Sequence, residues 1–391
     1  MRALFLGLAE GSWITFGLLI VIRGYGADDV AGGSEFIKGL IPAAGFIGLL
    51  LNTISLWVAR ATRLRVTKVI SLYLVSASIL LIASALVDDL LTFTALFVIG
   101  NVIYAQPTPL VIHTYAHNYT PQERGQKVST VMVMVAAGTG IFSFLGGKLL
   151  DWDFSWYPVI LFAMAFGCLV NAGILLKIPS TPLASEQTTN PLKNLRLAWD
   201  DKLFGWLLAS WMMIGIANLM TMPIRVEILA NPDYGIDATN EQVALANVII
   251  PAIARIISGK FWGALFDRIN FIVWRICVNS CFVVGMLLYF YGDSLTIIYT
   301  GAAFIGFGMG GGMIGWTLWV TKIAPPEKVS AYMSVHTAFT GIRGIFAPFI
   351  GYTVLAMLSP PGVGLMAALA ALLSSVMFAA LWRNDRFRKT S

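Results

Sequence analysis

Charge is the scarcest commodity in this sequence. Of 391 residues only 12% are Asp, Glu, Lys or Arg, about half the share of an ordinary soluble domain, roughly 25%. That shortage excludes a water-exposed surface of the usual kind, and the 58% hydrophobic content with mean hydropathy +0.78 makes lipid the expected solvent. Cysteine is equally thin: Cys168, Cys277 and Cys281 all sit inside apolar runs, where neither a zinc spacing nor a disulfide framework can be assembled. They read as packing residues. The net charge of +6 does not imply nucleic acid, because Lys and Arg are scattered through short connecting segments and form no stripe. Long polar stretches are missing too. A bilayer core about 30 Å thick takes roughly 20 apolar residues per helix, so a chain of this length is filled by helices and leaves no room for a soluble domain. The first apolar run, from Ala3, lacks a cleavage-type pattern and reads as a retained helix.

What is present is a series of twelve apolar runs, at about 4–24, 36–60, 67–87, 90–113, 127–149 and 155–177, then 203–224, 242–265, 271–292, 295–321, 330–356 and 362–382. The polar segment 178–202 breaks the series in the middle. The predicted organisation is an N-terminal six-helix bundle over 1–177, a central loop over 178–202 and a C-terminal six-helix bundle over 203–391. Basic residues gather in alternate loops, at Arg60, Arg63, Arg65 and Lys68, at Arg124 and Lys127, at Lys193 and Arg196, and at Arg383, Arg386, Arg388 and Lys389. By the positive-inside rule both termini are expected on the cytoplasmic face. The opposite loops lean acidic, with Asp28, Asp29, Asp88, Asp89, Asp233, Asp237 and Glu241.

The two halves resemble each other. Thr-Pro-Gln-Glu-Arg at 120–124 aligns with Ala-Pro-Pro-Glu-Lys at 324–328, Gly-Ile-Phe at 140–142 with Gly-Ile-Phe at 344–346, and Gly147 with Gly351, all at an offset of 204. Tyr-Gly at 25–26 and Ile-Pro-Ala at 41–43 recur at 234–235 and 250–252, an offset of 209. With six helices per copy the repeat is parallel, its copies related by an axis along the membrane normal.

After the eighth run, Gly263, Leu265, Asp267 and Arg268 stand as Gly-x-Leu-x-Asp-Arg. On this motif and the repeat, the chain resembles the major facilitator superfamily over essentially its whole length. The resemblance implies an all-α integral membrane fold of twelve transmembrane helices in two parallel six-helix repeats, with a conformational brace at this loop. The corresponding first-half positions read Ser55, Ala59 and Arg60, without the acid and without the glycine. Gly138, Gly140, Gly146 and Gly147 on the fifth helix are similar to the glycine-rich motif of the family's antiporters, except that Phe142-Ser143 replaces its Gly-Pro; Pro348 and Gly351 on the eleventh come closer to it. Helix packing is the plainer role for these residues. The resemblance also implies that the first, fourth, seventh and tenth helices line a cavity. That draws attention to Asn101, Tyr104 and Gln106 beside Pro107 and Pro109, to Trp211 and Asn218, and to Trp316 and Trp319 after the run Gly306, Gly308, Gly310, Gly311 and Gly312. This glycine run has no Gly-Lys-Ser ending and lies in an apolar helix, so it is no phosphate loop.

Ionisable groups at membrane depth mark pathways or pairs. Arg255 and Arg343 fall about 18–20 Å, at 1.5 Å per residue, from the ends of their helices nearest the basic loops, and so share one depth. The repeat places Phe46 and Thr139 at the equivalent positions, so the charge belongs to the second half alone. Glu10 lies inside the first helix, as their counter-ion or a proton carrier. His336, two turns before Arg343, shares its face and is open to protonation. Two readings of the arginines stand side by side: structural tethers to Glu10 or to backbone carbonyls, and ligands for an anionic group, since guanidinium suits carboxylate or phosphate. His113 and His117, four apart, lack the Glu of a zinc helix and read as an interfacial helix end.

The expected function is secondary transport of a small solute by alternating access, the solute anionic on the second reading of the arginines, in a bacterial inner membrane and as a monomer; a coupling proton carried by Glu10 or His336, a coupling sodium ion and uncoupled facilitation all stay open. No cofactor, metal, nucleic-acid partner or enzymatic constellation is expected. The alternatives are a proton-driven exporter of amphipathic or cationic compounds, with Glu10 as the cation partner, and a transporter-like sensor or scaffold that has lost flux.

Overall fold

The computed structural model describes residues 2–10, 12–26, 34–183, 194–325, 328–382 and 384. Asp28, Asp29, Lys193, Arg383, Arg386, Arg388 and Lys389, with Pro326 and Glu327 of the repeat, lie outside the described residues, as does the Arg124 side chain. The described chain is helical, with one isolated bridge between Arg65 and Pro182. We number its twelve spans α1 (Arg2–Glu10 and Ser12–Leu19, continuing as a π turn to Gly24), α2 (Ser34–Leu50 and Asn52–Thr62, bent by 45°), α3 (Val66–Ser84), α4 (Leu90–Ala105 and Thr108–Asn118), α5 (Pro121–Trp152) and α6 (Tyr157–Leu176). The second set is α7 (Lys202–Ala230), α8 (Asn240–Arg268), α9 (Phe271–Tyr291), α10 (Leu295–Leu318), α11 (Val329–Met357) and α12 (Pro360–Ala379).

The helix ends follow local chemistry. Asp89 caps α4 by accepting from the Thr92 amide and hydroxyl, both at 2.7 Å, and these bonds hold its carboxyl below the usual aspartate value. Thr120 and Glu123 form a capping box with Pro121 at the first helical position, so α5 starts several residues before its apolar run. Helix α7 runs through Pro223 to Ala230, beyond the predicted end at 224. The repeated Tyr-Gly acquires a reason here. Gly26 and Gly235, 209 apart, have φ of +55° and +79°, a left-handed conformation that glycine adopts without a Cβ penalty. In α4, Pro109 has no N–H to give the Ala105 carbonyl, which instead accepts from the Thr108 hydroxyl at 2.7 Å.

The chain forms two compact units, Met1–Glu186 with Val226–Ile249, and Gln187–Arg225 with Ile250–Ser391. In the first, backbone approaches and small polar groups hold the helices together, as expected where lipid removes the hydrophobic drive for helix pairing. A Cβ on Gly7 of α1 would stand 2.5 Å from the Val135 carbonyl of α5, and one on Gly138 2.5 Å from that of Leu4. The Ser71 and Ser78 hydroxyls of α3 donate to the Ala172 and Ala165 carbonyls of α6 at 2.9 and 3.1 Å. Ser55, in the first-half counterpart of the signature loop, is fully buried and donates to the Gln106 carbonyl at 2.9 Å, tying α2 to α4. Arg2 joins α1 to Asn171 of α6 at 2.7 Å.

Three charged residues tie the segment Val226–Ile249 to the rest of this unit. Arg23 donates to the Ala230 carbonyl at the C-terminus of α7 at 2.8 Å, to the Ala238 carbonyl of the connection at 2.6 Å and to Asn240 Oδ1 at the start of α8 at 2.7 Å. Asp151 accepts from the Asn240 and Glu241 amides at 2.5 and 3.0 Å, at the N-terminus of α8. Lys38 meets Glu227 at 2.8 Å, both almost wholly buried.

Candidate functional site: an arginine-lined cavity

The second unit contains a cavity of about 200 Å³. Its walls come from α7 (Trp211, Gly215, Asn218), α8 (Arg255), α9 (Arg275, Phe282), α10 (Met309, Trp316) and α11 (Arg343). Glycines let these helices close. On α10, a Cβ at Gly306 would stand 2.5 Å from the Pro251 backbone of α8, and one at Gly310 would stand 3.0 Å from the Arg255 carbonyl. The Phe307 carbonyl of α10 accepts from Ser258 Oγ at 3.1 Å and from Trp262 Nε1 at 2.8 Å, fixing α8 and with it Arg255. Trp274 Nε1 donates to the Trp262 carbonyl at 3.1 Å and brings in α9.

Arg343 is buried beside α7, where Nη1 donates to the Trp211 carbonyl. A Cβ on Gly215 would overlap its guanidinium, so the missing side chain makes the seat. This bond repeats one in the first unit, where Thr139 Oγ1 of α5 donates to the Gly7 carbonyl of α1 at 2.9 Å. Both members shift by the repeat offset of 204, from 139 to 343 and from 7 to 211. At equivalent positions of the repeat, the first half therefore carries a hydroxyl and the second a guanidinium.

Arg275 is 2% exposed, and its guanidinium lies 3.9 Å from the centroid of the Trp211 ring, a cation–π stack. Its Nε and Nη1 have no hydrogen-bond partner among the described residues, nor has Arg343 Nε. The cavity lining contains three arginines and no Asp or Glu. His336 packs behind it against Trp211, Trp316 and Trp319, at ring separations of 5.7, 5.4 and 5.3 Å. Trp316 Nε1 reaches Thr340 Oγ1 at 3.3 Å, and that hydroxyl donates to the His336 carbonyl at 2.9 Å.

Of the residues singled out in the sequence, the cavity gathers Trp211, Asn218, Arg255, Trp316 and Arg343, with His336 adjoining. Glu10, Asn101, Tyr104 and Gln106 lie in the first unit. There Glu10 is exposed, Asn101 and Gln106 are buried, and Tyr104 packs on Trp13 at 5.5 Å. Asp267 and Arg268 are exposed, Leu265 is half-buried, and Gly263 has only Ile314 near its Cβ position, at 3.8 Å, so no close helix approach within its unit demands glycine there. Arg60 is half-buried, with Nε lacking a partner among the described residues. The glycines divide. Gly138, Gly146 and Gly147 are tight against α1 or the start of α8, and Gly351 against the Met220 backbone of α7, whereas Gly140 has nothing within 4 Å. Pro348 lies inside α11. His113 and His117 stack at 6.5 Å. Arg275 carries no such signal in the sequence. It lies five residues after the Asn270 cap of α9, where a basic residue looks like one more loop charge.

A duplicated array of apolar helices, with an arginine-lined cavity in its second unit, defines a multi-pass helical membrane protein of the transporter class. The chain belongs to the Major Facilitator Superfamily, whose model matches residues 3–336 and, overlapping, 238–391. No curated protein matches the sequence. Among solved structures, the nucleoside transporter NupG superposes with a TM-score of 0.72 at 15% identity, covering 98% of each chain. The xylose transporter XylE from E. coli, in a partially occluded inward-open conformation, gives 0.70 at 13% identity, covering 98% of this chain and 96% of that one. The human organic anion transporter MFSD10 gives 0.62 at 15% identity, covering 96% and 98%. At such identities the likeness is one of fold.

Proposed function

We propose that this chain is a secondary transporter that carries a small anionic solute by alternating access, with the arginine-lined cavity of its second unit as the anion's subsite. The observation that carries this reading is the convergence of Arg255, Arg275 and Arg343, from three helices, on one cavity whose lining has no acid. Guanidinium forks match carboxylate and phosphate oxygens, and charge-assisted bonds gain strength away from water. Export of cations would call for an acid at the site, and this cavity offers none. Fold likeness does not choose among nucleosides, xylose and organic anions, the solutes named for the neighbours; the arginines favour the last. The basic loops around Arg60, Arg63, Arg65 and Lys68 support cytoplasmic termini in a cell inner membrane. A monomer with a coupling proton completes the proposal.

The test is a thermal-shift screen of detergent-purified protein with anionic, neutral and cationic solutes, followed by flux in proteoliposomes. A ligand at a hundred times its Kd adds about 2.7 kcal/mol to stability. An anion should stabilise the parent and be taken up. Gly215→Ala, whose new methyl displaces the Arg343 guanidinium, should weaken anion binding roughly tenfold or more, as loss of a charge-assisted bond of about 1.5–3 kcal/mol implies. Stabilisation by cations alone would overturn the reading.

A further inference from the structure

We infer that the cavity selects a doubly charged organic anion, a dicarboxylate or a phosphate monoester, over singly charged anions of the same size, and that Arg275 is the residue that sets this preference. The inference rests on the anion reading above and sharpens it.

Two guanidinium groups in the lining are nine-tenths or more buried, Arg275 at 2% and Arg343 at 8% exposure. Arginine keeps its proton in proteins, so both are cations. Among the described residues no carboxylate forms an ion pair with either, and the lining supplies none. Taking an ion out of water costs several kcal/mol unless an opposite charge and hydrogen bonds offset it. A monoanion in this cavity compensates one of the two buried cations and leaves the other; a dianion compensates both. The donors match that demand. Stacking on the Trp211 face fixes the guanidinium plane of Arg275, while its Nε and Nη1 remain without acceptors; Arg343 is fixed through Nη1 to the Trp211 carbonyl, while its Nε remains open. The two side chains thus approach the cavity from α9 and α11 with preset orientation and unused N–H groups, and Arg255 enters from α8. The remaining lining includes Phe282, Met309, Met313 and Trp316, which suits a carbon body between or beside the charges and argues for an organic anion.

The experiment uses the full chain in detergent and reads the concentration giving half-maximal thermal stabilisation. Matched pairs differ by one charge: succinate against monomethyl succinate, and methyl phosphate against dimethyl phosphate, at mildly alkaline pH where both phosphate-monoester protons are off. The two pairs also separate a carboxylate ligand from a phosphate one. The dianion of at least one pair is expected to act at a concentration at least roughly tenfold lower than its partner, the equivalent of one charge-assisted bond. Arg275→Gln should bring the two members of that pair to near parity while a response to anions persists through Arg343 and Arg255. Monoanions binding as tightly as dianions in the parent would overturn the inference and leave the anion reading standing. An undiminished dianion preference in Arg275→Gln would overturn the assignment to that residue. No response to any anion would overturn both. The parent comparison needs no variant, so a poorly folding Arg275→Gln does not shield the proposal.

Discussion

Lys38 and Glu227 have 4% and 1% side-chain exposure and meet at 2.8 Å, with Asn231 Nδ2 adding a hydrogen bond to the same carboxylate oxygen at 3.3 Å. A buried pair of this kind contributes modest net stability, but removing one partner strands a charge where water cannot reach it. We predict that Lys38→Met or Glu227→Gln lowers stability by about 3–5 kcal/mol, while Lys38→Met with Glu227→Met together recovers most of the loss. Thermal denaturation followed by tryptophan fluorescence checks this, and single variants as stable as the parent would show the pair to be dispensable. Neither residue drew attention in the sequence. Each lies near the end of an apolar run, where a charge reads as one at the membrane surface, and only the packing of α2 against the last turns of α7 buries both.

At the level of elements, the glycines of α5 form one motif in sequence and two populations in space. Gly138 faces the Leu4 backbone of α1, with 2.5 Å available to a Cβ, while Gly140 meets nothing. Backbone cannot move aside as a flexible side chain can. Gly138→Ala should therefore cost about 1–3 kcal/mol through overpacking, and Gly140→Ala should be neutral or stabilising by up to about 1 kcal/mol, the helix preference for alanine. Melting temperatures of the two variants test this, and equal effects would mean that α5 does not pack by the contacts described. The same helix shows why the repeat matters. Its Thr139 bond to Gly7 and the Arg343 bond of α11 to Trp211 occupy equivalent positions of the repeat with different chemistry.

For the whole molecule, Val226–Ile249 is fastened to the first compact unit by Arg23, Lys38 and Asp151, although the chain on either side belongs to the second. We predict that the transport cycle proposed above opens this fastening. Lys38→Cys with Glu227→Cys, in a background free of Cys168, Cys277 and Cys281, should when joined by a reducible thiol cross-linker stop flux in proteoliposomes, and reduction should restore it. Anion-induced stabilisation should survive the cross-link, because the cavity lies within the second unit. Continued flux through fully cross-linked protein would exclude a cycle that parts these residues.

Hydropathy and periodicity are properties of neighbours in sequence, so the twelve spans, the lipid environment, the parallel duplication and the family resemblance were all legible without coordinates. The repeat also singled out Arg343 and Arg255, since comparison with Thr139 and Phe46 exposes charges at positions where the first half carries none. The tertiary structure alone decided which of those residues meet. It brought Arg275 into the cavity from a helix that resemblance did not nominate, placed Glu10 in the other unit, and separated Gly138 from Gly140. The physical reason is that the cavity is made by side chains as far apart in sequence as Trp211 and Arg343, 132 residues (343 − 211), on helices whose rotation is set by packing. A charge near the end of an apolar run looks the same in sequence whether its helix turns it toward water or into the protein interior.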